Sequence, residues 1–84
     1  MRTLELLDYL IGLARRLGFE IREEWLDGAG GGACLIKGQR ILFVDQSLPP
    51  AERVEQIAQS LRGSEELSNV YVLPEARAVL GEAA

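Results

Sequence analysis

Cys34 is the single cysteine of the chain, and its thiolate would be the strongest nucleophile available for covalent or redox chemistry. Such chemistry needs a base to take the proton, a second cysteine to resolve the oxidised sulfur, or a helix N-terminus to stabilise the anion. The chain has no histidine, which also removes Ser-His-Asp triads, histidine-ligated zinc and the usual general base near neutral pH. Cys34 therefore reads as a buried, inert core residue. Glu20 and Glu24 flank Arg22 at alternate positions, a spacing that suits a solvent-exposed charge ladder on one strand face. Paired-carboxylate hydrolysis would instead require two acids across a cleft with separated pKa values. Glu23, Glu24 and Asp27 could gather around a hard cation, but they lack EF-hand spacing, and no metal site is assigned.

Gly28-Ala29-Gly30-Gly31-Gly32-Ala33 spells the GxGxxA form of the dinucleotide fingerprint, with Asp45 downstream where a ribose-binding acid would be sought. That mechanism needs the glycines to lead from a buried strand into a helix whose N-terminus holds the pyrophosphate. Here they lead into a strand-like run, and no Gly-Lys-Ser/Thr follows to make a phosphate loop. The segment reads as a flexible loop, and neither a cofactor nor a catalytic residue is assigned. Trp25, Tyr9 and Tyr71 are the aromatics best suited to a partner surface, although for Trp25 core packing is the favoured role.

The elements that must position these groups are legible from periodicity. Over residues 3–17, Leu4, Leu7, Ile11 and Ala14 form one helical row and Leu6, Leu10, Leu13 and Leu17 the next, which predicts a broad amphipathic helix. Thr3 suits its N-cap and Gly18 its left-handed stop. Residues 19–25 alternate as a half-buried strand, with Phe19, Ile21 and Trp25 on the inner face. Residues 33–37 and 40–45 flank Gly38-Gln39, which fits a type II′ hairpin. In that register Ile36 faces Ile41 and Cys34 faces Phe43, while on the other side Leu35 faces Leu42 and Ala33 faces Val44. Ser47 can cap a helix that takes Pro49 and Pro50 in its first turn, buries Ala51, Val54, Ile57, Ala58 and Leu61, and stops at Gly63. Residues 64–68 read as a polar connection and 70–72 as a short extended piece. A short helix follows from Pro74 with Ala76, Val79 and Leu80 inward, and the last few residues are expected to fray.

The chain has 84 residues with 48% hydrophobic and 26% charged side chains, so residues 1–84 read as a single small α+β domain. Surface scaling allows roughly 63% of the unfolded surface to be buried. The expected architecture is an N-terminal helix, a three-stranded antiparallel β-meander, and one long and one short C-terminal helix in two layers. A net charge of −4 and scattered arginines lack the basic stripe that nucleic acid requires. Glu5 and Asp8 interrupt the first apolar stretch, and no run approaches the roughly 20 residues that span a bilayer. With one unpaired thiol, a cytoplasmic location is expected.

The stretch at 31–61, GGACLIKGQRILFVDQSLPPAERVEQIAQSL, resembles a small family of uncharacterised bacterial proteins with an N-terminal helix, a Gly-Gly-x-Cys hairpin and a following helix opened by Ser/Pro. That resemblance implies a bacterial α+β domain and carries no activity. The order of hairpin, capped loop and amphipathic helix is also distantly similar to the front of ImmA/IrrE-type zinc peptidases, whose helix carries HExxH. Gln59, Ser60 and Gly63 stand at the three functional positions, so this likeness implies a scaffold without its metal site.

Both faces of the hairpin are apolar, and one of them needs a cover. The expectation is a non-enzymatic protein-interaction domain that self-associates or binds a protein partner, through a surface containing Trp25, Leu35, Leu42 and Val44. The alternative is a small enzyme or ligand-binding domain that uses Cys34 or carboxylates near the loop at 28–32.

Overall fold

The computed structural model describes residues 1–81; the expected fraying of the last residues lies outside them. Helix α1 runs Thr3–Arg16, strand β1 Glu20–Glu24, β2 Gly32–Ile36, β3 Gln39–Asp45, helix α2 Pro50–Leu61 and helix α3 Pro74–Val79, with a 3₁₀ turn at Glu65–Asn69 in the polar connection. The α+β class and the helix–strand order agree with the sequence.

Helix α1 buries Leu7, Leu10, Ile11, Leu13 and Ala14. Its N-cap is Arg2 rather than Thr3, and the Arg2 N–H is satisfied by Glu5 Oε1 at 3.1 Å. At the other end Gly18 takes a left-handed φ of 95°. That turn lets Phe19 N–H reach the Ala14 carbonyl and Gly18 N–H the Arg15 carbonyl, both at 3.0 Å. This is a Schellman stop, and it delivers Phe19 into the core beside the helix it leaves.

The sheet has the order β1-β3-β2, with β1 parallel and β2 antiparallel to β3. The expected antiparallel meander is corrected on this point: β1 and β2 are the two edges, and the chain between them crosses the end of β3. Asp45, the last residue of the central strand, holds that crossover. Its buried carboxylate accepts from the N–H of Leu26 at 3.0 Å and of Gly28 at 2.8 Å. The first half of the glycine-rich loop is therefore anchored. Asp27 and Gly28 both take positive φ there, and Ala29 N–H closes a tight turn on the Leu26 carbonyl at 2.9 Å.

The hairpin turn is Lys37-Gly38, not Gly38-Gln39. Both turn residues have positive φ, 51° and 79°, as a type I′ turn requires. Cys34 consequently faces Ile41, Leu35 faces Arg40, and Ile36 faces Gln39. The slip relative to expectation is two residues, so each side chain keeps its face. Arg40 fixes this register: its guanidinium lies 4.3 Å from the Phe19 ring centre, donates to the Leu17 carbonyl at 2.9 Å and pairs with Glu66 at 3.2 Å.

Helices α1 and α2 pack on one sheet face, and α3 packs against α1. Ile21, Leu42 and Val44 meet Leu10, Leu13, Ala14, Ile57, Ala58 and Leu61 there, and Leu67, Val72, Ala76 and Leu80 complete the core. Helix α2 begins with Pro49 as N-cap and Pro50 in its first turn, without help from Ser47, and Ala51 is exposed. Ser47 instead serves Asp45, described below. The segment at 70–72 buries Val72 but forms no strand among the described residues.

Candidate functional site

Of the four residues expected on an interaction surface, Leu42 and Val44 are wholly buried under the helices. The face that carries them is the covered face, because α1 and α2 both lie on that side. Trp25 and Leu35 remain exposed, each at 68% of its free area. They are not neighbours: Leu35 sits opposite Arg40 at the start of β3, while Trp25 follows the end of β1, beyond Asp45. The Trp25 indole N–H donates to the Asp27 carboxylate, so the residue is tethered to its own turn.

The opposite sheet face has Glu20, Arg22 and Glu24 along β1, Ile41 and Phe43 along β3, and Cys34 and Ile36 along β2. The charge ladder is as expected, exposed, with Arg22 Nε on Glu20 Oε2 at 2.9 Å. Cys34 is exposed, which corrects its reading as a core residue. The physical reason is its place on an edge strand, on the face without helices. Its neighbours on that face, Gly32, Ile36 and Ile41, have no group that could take a thiol proton.

Edge strand β2 is the most exposed apolar element. Cys34, Leu35 and Ile36 are all exposed, Ile36 at 43%, and among the described residues no strand lies on the outer side of β2. The strand contains no charged residue, whereas the other edge, β1, has Glu20, Glu23 and Glu24 against one Arg22. The rim of β2 thus presents unpaired backbone N–H and C=O groups without the charges that usually guard such an edge.

Beside the start of β2 lies a recess of about 350 Å³ between the backbone at 30–32 and the Glu52, Glu55, Gln56 and Gln59 side of α2. Gly31 makes it possible. A Cβ at that position would stand 2.5 Å from the Phe43 carbonyl oxygen and 2.7 Å from Gln56 Nε2. The close approach lets Gln56 lie across the strand end, where its Oε1 accepts the Asp45 N–H at 2.8 Å. Glu55 is held by Arg62 at 3.0 Å, while Glu52 is in no ion pair among the described residues. Ser60, one of the positions overlaid on a zinc motif, donates its hydroxyl to the Gln56 carbonyl at 3.1 Å.

Among the described residues, Asp45 is the one charged residue buried in the core region. Burial alone would push its carboxyl up, but hydrogen bonds from the Ser47 hydroxyl and from the N–H groups of Leu26, Ser47 and Gly28 outweigh that and bring it from 3.8 down to about 2. The Ser47 hydroxyl and N–H both reach Asp45 Oδ1, at 2.6 and 2.9 Å. A carboxylate this heavily engaged is a structural peg. It has neither the raised pKa of a general acid nor a free lone pair aimed at solvent. The Asp-x-Ser spacing, a side-chain turn signature, was the signal that could have identified it.

Among the described residues no three acidic or cysteine side chains gather as a metal site, and no helix is long and apolar enough to cross a membrane. No family model matches the chain, and no curated protein or solved structure matches it either.

Proposed function

We propose that this protein is a non-enzymatic protein-interaction domain that self-associates through the β2 edge. The observation that supports the reading is the exposed, uncharged strand with Leu35 and Ile36 open to solvent and its outer backbone groups unpaired. Strands of this kind add to a neighbouring sheet edge, and main-chain hydrogen bonds then supply the attraction. Identical edges meeting about a two-fold axis close on themselves, which yields a defined dimer rather than a fibre. A reducing, cytoplasmic compartment suits an exposed unpaired thiol.

The test is the effect of Leu35→Lys on assembly and on folding, measured separately. Sedimentation velocity should show the association of the natural protein abolished in the variant. Its unfolding free energy at dilution, from urea titration, should stay within about 0.5 kcal/mol of the original, as befits an exposed position. Unchanged association in the variant would reject β2 as the contact.

A further inference from the structure

Resting on the self-association reading, we propose that two copies pair β2 with β2 in antiparallel fashion, with Cys34 at the two-fold axis and each Lys37 entering the partner's recess beside Glu52 and Glu55. The choice of edge follows from charge. Two β1 edges brought together would oppose three glutamates with three glutamates, with only one arginine on each side to offset them. Two β2 edges oppose no charge at all.

The register follows from the ladder already present. A two-residue loop is closed by a hydrogen-bonded pair, here Ile36 and Gln39. Alternation then turns the backbone groups of Ile36, Cys34 and Gly32 toward β3 and those of Ala33 and Leu35 outward. A second copy must meet outward groups with outward groups. The strand runs Gly32–Ile36, so only an axis at its midpoint, Cys34, engages the whole length. Ala33 then exchanges hydrogen bonds with the partner's Leu35, and Leu35 with the partner's Ala33. Each exposed leucine lies against a small residue, so no bulky pair collides. Cys34 meets the partner's Cys34 in the close, non-hydrogen-bonded kind of pair, where Cα atoms stand about 4.5 Å apart, inside the range a disulfide spans.

The same register carries the chain one residue beyond each strand end, setting Lys37 opposite the partner's Gly31. Gly31 lines the recess that also holds Glu52 and Glu55. Among the described residues neither Lys37 nor Glu52 is in an ion pair. The only lysine of the chain would thus meet an unpaired acid, twice per dimer.

Three measurements on the intact protein separate the register from the reading beneath it. In reducing buffer, sedimentation across a concentration series reports association. In the second, diamide is added: it takes two electrons and two protons from two thiols, forming one sulfur–sulfur bond and a hydrazine. The natural protein should be trapped as a covalent dimer, while C34S/A33C and C34S/I36C, whose cysteines would face the partner's Leu35 and Gly32, should trap far more slowly. In the third, Lys37→Glu should weaken association about fivefold, and adding Glu52→Lys should restore it. Reversible association with faster trapping at position 33 or 36, or K37E without effect, overturns the proposed register and leaves self-association standing. A monomer at every concentration overturns both.

Discussion

Gly31→Ala probes the packing of the recess directly. Gly31 does not occupy the left-handed region, so alanine pays no conformational penalty there. The whole effect must come from crowding. The added methyl would sit 2.5 Å from the Phe43 carbonyl oxygen, 2.7 Å from Gln56 Nε2 and 2.9 Å from Gln56 Cδ. Gln56 can withdraw only by releasing the Asp45 N–H, a loss of about 1 kcal/mol, and the Phe43 carbonyl can move only by bending β3. Overpacking of this sort costs about 1–3 kcal/mol, so the substitution should destabilise the domain by about 2–4 kcal/mol in total. For a chain of this size that lowers Tm by at least about 8 °C. Urea unfolding followed by circular dichroism is the assay, with an unchanged slope marking a true stability effect. Gly12→Ala is the internal control: nothing lies within 4 Å of a Cβ there, and alanine inside α1 should stabilise by about 0.5–1 kcal/mol. A Gly31→Ala variant as stable as the original would refute the close approach of β2 to α2 on which the recess depends.

Three further outcomes follow from other sites. Because the carboxyl of Asp45 is lowered in the folded state from 3.8 to about 2, its stabilising contribution is full above pH 4 and is lost as pH falls through that window toward 2; Asp45→Asn should flatten this part of the acid-unfolding curve while lowering stability at neutral pH. Lys37 has a left-handed φ of 51°, so Lys37→Asn, which favours a type I′ turn, should raise the unfolding free energy of the dilute protein, read from urea titration, by up to about 1 kcal/mol. Leu61 is fully buried in the core, and Leu61→Ala should cost about 2–5 kcal/mol in the same assay.

Periodicity revealed the elements whose signal is local. Leucine rows located α1, Pro50 and the apolar positions after it located α2, and Gly18 and Gly63 marked left-handed stops that both take positive φ. The neighbour order of the strands was not legible, because alternation within Glu20–Glu24 states which side faces inward and nothing about which strand lies beside it. That order depends on Asp45, nineteen residues from the Leu26 amide it holds. The turn position is not legible because Gly38 alone fits either of two positions, and Arg40 reaching Phe19 and Leu17 decides between them. Cys34, Leu42 and Val44 exchanged environments with respect to expectation for the same reason. Both hairpin faces are apolar in sequence, and only the seating of α1 and α2 determines which is covered. The recess was invisible because Gly31 and Gln56 are brought together by tertiary packing alone.

The most direct test of self-association is the solution mass of the intact protein in reducing buffer, by light scattering or sedimentation equilibrium over a wide concentration range. The expected result is a concentration-dependent rise from the 9.2 kDa chain mass to twice that value and no further. A mass that stays at one chain throughout, or that climbs past two without a plateau, would contradict it.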